Sequence, residues 1–332
     1  MKKIKLSRTD LVVSNICLGG GNFGEKLTKE MVFQVLDTFT AAGGNFIDTA
    51  NVYCRWVPGL ANVSEEIIGE WLKLRKAKND VVIATKGAHY DFKAPQIPRV
   101  TKEDIHHDLD ESMRTLGLDH IDLYWLHRDD KNKPMEEIVE WMEELVKSGK
   151  IRYYGASNFC KERMEKAYDY AKEHKLQGFS AVSNQWSAAS LNIYNHLERD
   201  ATMELTDEAF YEWHKNTRMP LIPYTSTANG FFEKLYQTNT EVREGTLITP
   251  VDELRLSDKL KKEYLNNRNL KLYEKFLAFH KKTGASLFAI SVAYLLNQPF
   301  DVIPIGSVTK LEQLNGLLEA SELKVENELF EL

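Results

Sequence analysis

Several features that would assign this sequence to a functional class are scarce or missing. Only three cysteines, Cys17, Cys54 and Cys160, occur in 332 residues. Their odd number and wide spacing predict neither a disulfide framework nor a zinc site, so we expect reduced thiols. No apolar run approaches the ~20 residues that cross a bilayer, and the first ten residues lack the apolar segment of a signal peptide. We therefore expect a cytoplasmic protein with no membrane partner.

Positive charge is also in the minority. The chain has 43 Lys and Arg against 49 Asp and Glu, a formal net charge of −6. No stretch is dense enough in Lys and Arg to follow a phosphate backbone, so nucleic acid is not an expected partner. With 43% hydrophobic residues the chain can bury a large core. Its length fits either two ordinary domains or one barrel with insertions.

The sequence does contain a repeated alternation of short apolar runs and helical patterns. A small hairpin around Leu6 and residues 12–13 comes first. The apolar runs then predict eight strands, at residues 16–18, 45–47, 81–86, 121–125, 151–156, 179–184, 221–224 and 302–305. Seven of these are followed by a helix before the next strand. This pattern predicts one α/β domain over residues 1–332, a (β/α)8 TIM barrel with a short N-terminal β-hairpin and long loops at its C-terminal face.

Local signals mark some of the boundaries. Ser64 is expected to cap the helix that follows the second strand, and Thr101 with Asp104 resembles a capping box. Residues 225–257 show little periodicity and are expected to form a long loop. A loop of this length could serve as a lid over the site. The glycines at positions 19–21 allow a phosphate-binding turn, but they lack the GxGxxG order, and tight turns explain them equally well.

Four ionisable side chains fall at or just after successive strand ends. Asp48 and Tyr53 follow the second strand, Lys86 ends the third and His127 ends the fourth. Because the C-terminal ends of barrel strands meet at one mouth, we expect these groups in one pocket. An adjacent Lys86 ammonium should lower the pKa of the Tyr53 phenol, and Asp48 is the expected partner that keeps the ammonium charged.

His127 could donate a hydrogen bond to a substrate carbonyl and orient it toward the phenol. The set therefore predicts general-acid catalysis of carbonyl reduction, with the hydride supplied by a cofactor because no side chain can donate one. A hydrolytic barrel would need paired carboxylates at the strand ends, which this chain lacks.

Each of these residues also has a purely structural interpretation. Asp48 could cap a turn with Lys86 as a surface partner, and a lone histidine such as His127 is often structural. Residues 128–130 are interpreted as a solvated or loop-fixing cluster. The pair at 106–107 has no third ligand at metal spacing, so no metal site is expected. The aromatic residues Trp125, Phe231 and Phe232 could belong to the core.

Several motifs together resemble the aldo-keto reductase family. The match lies in GGNFIDTANVY at 43–53, ATK at 84–86 and LH at 126–127. It continues in the same order through GASNF at 155–159, NQW at 184–186, PYTSTANGFF at 223–232 and IPIGSVT at 303–309. The resemblance covers nearly the whole chain.

The resemblance implies a role for each matching residue. Tyr53 would be the general acid, Lys86 and Asp48 would tune its pKa, and His127 would orient the carbonyl. Ser157, Asn158 and Gln185 would bind the nicotinamide carboxamide, and Tyr224 would stack on the ring. The turn with Thr225, Ser226 and Gly230 would hold the pyrophosphate, and the segment with Gly306, Ser307, Thr309 and Gln313 would lie around the adenosine phosphate.

Two departures from the family pattern affect the cofactor and the substrate. Gly306 stands where many NADPH-dependent relatives have a basic residue, and Gly316–Leu317 replaces a common Glu-Asn pair, so NAD(H) stays possible. NADP(H) is favoured on the basis of Ser307, Gln313 and Lys310. The longer segment after Tyr53 should place Trp56 beside the substrate pocket, and Trp186 is expected to line it too. The implied activity is reversible reduction of an aldehyde or ketone to an alcohol; the alternative is a cofactor-sensing regulatory subunit with little turnover.

Overall fold

The computed structural model describes residues 1–192 and 200–325. The strands are β1 (Lys3–Lys5), β2 (Val12–Ser14), β3 (Cys17–Gly19), β4 (Phe46–Asp48), β5 (Val82–Gly87), β6 (Ile121–Leu126), β7 (Ile151–Ser157), β8 (Ala181–Ser183), β9 (Val242–Arg243), β10 (Thr246–Leu247) and β11 (Ile305–Gly306). The helices are α1 (Lys29–Ala41), α2 (Val63–Arg75), α3 (Lys102–Leu116), α4 (Met135–Lys147), α5 (Lys161–His174), α6 (Glu208–Thr217), α7 (Phe231–Gln237), α8 (Asp258–Tyr264), α9 (Asn267–Thr283), α10 (Leu287–Leu296) and α11 (Glu312–Glu322), with a 3-10 turn at Ala228–Gly230. Among these helices, none combines the length and apolar character needed to cross a membrane.

The parallel strands form one curved sheet that closes on itself. Its order is β11-β3-β4-β5-β6-β7-β8. Isolated bridges pair Leu221 with Val182 of β8 on one side and with Val302, just before β11, on the other. The segment at Leu221 thus occupies the position between β8 and β11, and the predicted (β/α)8 barrel is confirmed.

The last two sheet positions are less regular than the sequence predicts. Residues 221–224 contribute only bridges at Leu221 and Tyr224, and the ladder near residue 302 is reduced to the two residues of β11. Proline is the physical reason, because Pro223 and Pro304 have no N–H to give to a ladder. The barrel closes here through single bonds, such as Ile222 N–H to the Val182 carbonyl at 2.8 Å.

Two apolar layers hold the barrel together. Inside it, side chains such as Phe46, Leu123 and Trp125 form a buried cluster, which Leu6 and Val13 of the N-terminal hairpin join. Outside it, a larger cluster lies between the strands and the surrounding helices. Since Leu6 and Val13 are fully buried, the predicted hairpin packs against the barrel interior rather than standing free of it.

Residues 225–257 are more ordered than the sequence predicts. They contain the 3-10 turn, helix α7 and the β9–β10 hairpin, so the expectation of an irregular loop is wrong. Phe231, Phe232 and Leu235 are buried in a cluster with α8, α9 and α10. A helix of only seven residues gives little periodic signal, and its stability comes from tertiary packing instead.

The start of α2 also differs from the expectation. Asn62, not Ser64, occupies the N-cap, and the Ser64 hydroxyl donates to the Gly20 carbonyl at 2.9 Å and bonds Thr49 Oγ1 at 2.8 Å. A Cβ on Gly20 would lie 2.9 Å from Ser64 Oγ and 3.2 Å from the Asp48 carbonyl oxygen. Gly20 therefore permits close packing of the turn after β3 against β4 and α2. The alternative, a phosphate-binding turn of a dinucleotide-binding fold, is wrong because the fold is a barrel.

Candidate active site

The barrel brings the four predicted ionisable residues together at its C-terminal mouth. Asp48 is the last residue of β4, Lys86 lies near the end of β5 and His127 follows β6. Tyr53 lies in the turns after β4, where its N–H bonds the Ala50 carbonyl at 3.1 Å. All four line one cavity of about 200 Å³.

Lys86 is the centre of this group. Its buried ammonium donates to Asp48 Oδ2, to the Thr49 carbonyl at 2.8 Å and to Tyr53 Oη at 3.2 Å. Burial alone would lower the pKa of Lys86, but Asp48 and then Tyr53 outweigh it, and the pKa lies above its usual value. Because the phenol oxygen accepts from Lys86, the phenol's own hydrogen remains available to another acceptor.

The pKa of Tyr53 differs from the sequence expectation. Burial raises the pKa of this phenol above 10.0, and the lowering effect of Lys86 is smaller than that of burial. The expectation of a net lowered pKa is therefore wrong. The Lys86 ammonium still acts in the predicted direction, and the phenol is protonated at neutral pH.

His127 is held neutral. Burial lowers the pKa of His127 well below 6.5, and the nearby Arg128, His89 and Lys86 lower it further. Its ring lies edge-on to the Tyr53 ring, with centroids 6.0 Å apart, and its backbone N–H bonds the Gly87 carbonyl at 2.8 Å. A neutral imidazole keeps one N–H that can donate to a carbonyl oxygen.

Trp125 supports Asp48 from inside the barrel. Burial raises the pKa of the Asp48 carboxyl above its usual value, and Lys86 and then the Trp125 indole oppose that rise. Asp48 Oδ1 and Trp125 Nε1 are both buried, and neither atom has a hydrogen-bond partner among the described residues. Trp125 fits because position 155 is glycine: a Cβ there would lie 2.2 Å from the indole ring. Trp125 is thus a core residue, as one interpretation held, and it also faces the acid.

Part of the predicted cofactor site lines the same cavity. The predicted cofactor residues that line it beside the four ionisable groups are Ser157, Tyr224, Thr225 and Ser307. The Tyr224 side chain supplies an aromatic wall, and Gly21 also lines the cavity. A Cβ on Gly21 would lie in van der Waals contact with the Tyr53 ring at 3.8 Å. These residues fit a flat heterocycle stacked on Tyr224.

The side-chain amide of Asn158, predicted to bind the carboxamide, already forms hydrogen bonds with other residues of the protein. Its Oδ1 accepts from Tyr224 Oη at 2.6 Å and from the Glu204 N–H at 3.1 Å. Its Nδ2 donates to the His127 carbonyl at 3.2 Å and to Ser157 Oγ at 3.1 Å. These four contacts use both acceptor positions and both N–H groups of the amide. Asn158 therefore fixes the loops around the cavity.

The remaining predicted cofactor residues lie outside this cavity. Gln185 lines a different cavity, the Ser226 hydroxyl donates to the Ile305 carbonyl at 2.7 Å, and Gly230 ends the 3-10 turn with φ +74°. A Cβ on Gly306 would lie 2.5 Å from Leu317 of α11, so that position faces packed core. Gln313 Oε1 accepts from the Thr309 N–H at 2.7 Å and holds the turn before α11.

The two tryptophans predicted to line the substrate pocket separate in the structure. Trp56 lies edge-on to Tyr53 at 6.0 Å, and its indole N–H donates to Glu25 Oε2 at 3.1 Å. Trp186 instead contacts Tyr211 at 5.8 Å and lines a cavity of about 610 Å³ away from the ionisable set. The structure therefore does not bring Trp186 together with the four ionisable residues, because the chain after β8 turns toward α6.

Sequence reasoning gave Arg128 no place in the site. Arg128 lines the catalytic cavity, whereas Asp129 forms a buried ion pair with Arg163 at 2.7 Å and fixes the loop as expected. His89, Tyr90 and Phe92 line a second cavity of about 350 Å³ that shares Lys86 with the first. The only sequence signal for Arg128 was its place next to His127.

The sequence analysis also did not predict a cluster of three metal-ligand side chains on α3. His107, Asp108 and Glu111 present ligand atoms within 4.8 Å of one another, so the expectation that the paired histidines lack further ligands is wrong in geometry. Both carboxylates are already paired, Asp108 with Arg99 at 2.9 Å and Glu111 with Arg55 at 2.5 Å. Two arginines so close oppose a metal ion, and we propose none.

Comparison with known proteins agrees with the fold. The model of the Aldo/keto reductase family matches residues 15–331. The uncharacterized oxidoreductase YrpG of Bacillus subtilis is 27% identical, covering 100% of this chain and 94% of that protein. Norsolorinic acid reductase B of Aspergillus parasiticus is 30% identical over 95% of this chain and 78% of that protein.

A third relative names a cofactor. It is the aryl-alcohol dehydrogenase [NADP(+)] of Phanerodontia chrysosporium, 28% identical over 96% of this chain and 81% of that protein. The family match spans nearly every described element of the barrel. The chain belongs to the aldo/keto reductase family and is an NAD(P)-dependent oxidoreductase.

Proposed function

We propose that this protein reduces an aldehyde or ketone to an alcohol, reversibly, with Tyr53 as the proton donor. The observation that carries the proposal is the Lys86 ammonium, which donates to Tyr53 Oη at 3.2 Å in the wall of the cavity that His127 shares. A phenol placed in this way can protonate a carbonyl oxygen while the ammonium stabilises the phenolate that forms.

Each neighbouring residue then has a defined task. Asp48 keeps Lys86 charged, and the neutral His127 donates its N–H to the carbonyl oxygen and holds it near Tyr53. A reduced nicotinamide, when bound, supplies the hydride. Tyr224 forms the wall on which the ring would stack, so that one ring face is turned toward the substrate.

NADP(H) is the cofactor that we favour, with NAD(H) open. The support is the NADP(+) in the name of the Phanerodontia relative, together with Ser307, Thr309 and Gln313 near the start of α11. Because Leu317 occupies the space beside Gly306, a basic group for the 2′-phosphate would have to come from elsewhere, and Lys310 is exposed in the adjoining turn.

An aromatic substrate fits the surroundings of Tyr53. Trp56, Phe92 and His89 form a chain of ring contacts, with centroids 6.3 Å and 5.3 Å apart. Two of the relatives are named for an aryl alcohol and for norsolorinic acid. We therefore propose aryl aldehydes, or the corresponding alcohols, as the substrate class.

The test is a fluorescence titration of purified protein with NADPH and, separately, NADH, followed by a carbonyl panel with the tighter cofactor. We expect binding and turnover of at least one aryl aldehyde. In Tyr53→Phe, turnover should fall by roughly 100-fold or more while cofactor affinity stays unchanged, because only the proton donor is removed. Substantial activity in this variant would contradict the role of Tyr53, and binding without turnover by the wild type would favour the cofactor-sensing alternative.

A further inference from the structure

Arg128 places a guanidinium in the wall of the catalytic cavity, directly after His127. Its side chain is 12% exposed, and it lines the cavity together with Tyr53 and Lys86. The charge of Lys86 is balanced by the buried Asp48. Arg128 is thus the second cation of the cavity, and neither the proton transfer nor the carbonyl contact described above uses it.

The orientation of Arg128 is fixed by its neighbours. Nε donates to Thr202 Oγ1 at 2.8 Å, one terminal nitrogen donates to the His127 carbonyl at 2.8 Å, and the other donates to Asp200 Oδ2 at 3.2 Å. A guanidinium has five N–H groups. Within residues 1–192 and 200–325 the other two, one on each terminal nitrogen, donate to no group.

The Asp200 carboxylate accepts one hydrogen bond from this guanidinium and several from other groups. It accepts from Tyr90 Oη at 2.6 Å, from the Thr202 N–H at 2.9 Å and from Thr202 Oγ1 at 2.5 Å. The acid therefore shares its charge among four donors, and its contact with Arg128 is the longest of them. A second carboxylate that reached Arg128 would find one N–H group on each terminal nitrogen, and a guanidinium can bind a carboxylate through two such groups.

We propose that Arg128 binds a carboxylate on the substrate, so that the preferred substrates are aromatic aldehydes, or their alcohols, with a carboxylate close to the reacting carbon. This inference rests on the proposed carbonyl reduction. The aldehyde gains a hydride and a proton as described above, and the carboxylate is unchanged. Because Arg128 directly follows His127 and both residues line the same cavity of about 200 Å³, an acid with its carboxylate at the ortho ring position is the first probe.

The test compares two probes that differ only in charge, 2-carboxybenzaldehyde and methyl 2-formylbenzoate. In Arg128→Gln, kcat/KM for the acid should fall roughly 30-fold, the effect of losing a charged hydrogen-bonded pair, whereas the value for the ester should change by less than about threefold. Arg128→Lys should retain part of the preference. Lys131→Gln is the matched control: it removes a cation from the same loop, 63% exposed and paired with Glu204 at 2.9 Å, and should leave the acid-to-ester ratio unchanged.

Other outcomes would overturn the inference. An equal loss for acid and ester would mean that Arg128 only positions His127, and a weaker affinity for NADPH would mean that it contacts the cofactor. Calorimetric titration of phthalate into the NADPH-loaded protein is independent of turnover. Binding by the wild type that is lost in Arg128→Gln supports the inference, and equal binding contradicts it. If no aldehyde is turned over, the proposed function fails while phthalate still tests Arg128. Melting curves confirm that each variant is folded.

Discussion

Single buried residues set much of the pH behaviour of this molecule, and His214 shows how. Its ring lies against Phe300, with an interplanar angle of 9°, and against Phe210. Nδ1 bonds the Met219 carbonyl at 2.8 Å, while Nε2 is buried with no partner among the described residues. Protonation would place a second N–H in apolar surroundings, and burial lowers the pKa of His214 to about 4.

The sign of the resulting pH dependence follows directly. Because the folded pKa of about 4 lies below the unfolded value, the unfolded chain takes up the proton first as the pH falls. The stability that neutral His214 contributes is lost from about pH 6.5 downward. Between pH 7 and pH 5 the wild type should lose about 2 kcal/mol more unfolding free energy than His214→Asn.

Urea unfolding at the two pH values measures this difference. His174→Asn is a suitable control, because His174 also bonds a backbone carbonyl, that of Tyr170 at 2.9 Å, but is exposed to solvent. The same pH dependence in wild type and His214→Asn would show that His214 accepts a proton in the folded protein.

At the scale of secondary-structure elements, the pairing of β6 with β7 depends on a large side chain, Trp125, opposite a glycine, Gly155. Trp125 of β6 fills the barrel interior beneath Asp48, and it pairs with Gly155 of β7 in the parallel register. A Cβ at position 155 would approach the indole ring to 2.2 Å. No real contact is that short, so either the ring or the strand must move.

Gly155→Ala should therefore lower the unfolding free energy by roughly 1–3 kcal/mol, the usual cost of overfilling a core. Trp125→Leu should also destabilise the protein, because it leaves a cavity. In the double variant the clash is relieved, so the two effects should be less than additive by about 1 kcal/mol or more. Denaturant unfolding of all four proteins measures the coupling, and strict additivity would show that the ring does not limit position 155.

In the whole molecule, the N-terminal hairpin and the four ionisable residues lie at opposite ends of the barrel. The N-terminal hairpin covers one end with Leu6, Leu11 and Val13, whereas the ionisable residues lie at the C-terminal ends of the strands. The hairpin is tied to the last sheet position, since Asp301 accepts hydrogen bonds from the Ser7 N–H at 2.9 Å and the Ser7 hydroxyl. Changes in the hairpin should thus affect folding more than turnover.

Leu6→Ala should lower the unfolding free energy by roughly 2–5 kcal/mol, as expected for a fully buried leucine. Cofactor affinity and kcat should stay within about twofold at temperatures where the variant is folded. Val12→Ala in the same hairpin is the control, because Val12 is 53% exposed and Leu6 is 0% exposed. A loss of kcat in Leu6→Ala without a change in melting temperature would mean that the two ends of the barrel are coupled.

The sequence by itself determined the barrel and the four ionisable residues. The alternation of strand and helix patterns is a local property, and the end of a parallel strand fixes which mouth its last side chain approaches. Asp48, Lys86 and His127 follow from these two facts, and Tyr53 follows from a motif of consecutive residues.

The tertiary structure decided what depends on partners distant in the sequence. Asn158 is saturated by residues up to 66 positions away, and Arg128 is held by Asp200, 72 positions away. Leu317 excludes a side chain at Gly306, and the turn after β8 carries Trp186 away from the site. Burial raises the pKa of Tyr53, whereas the sequence shows only the neighbouring charge. Burial and hydrogen-bond occupancy are properties of packing, and no local pattern encodes them.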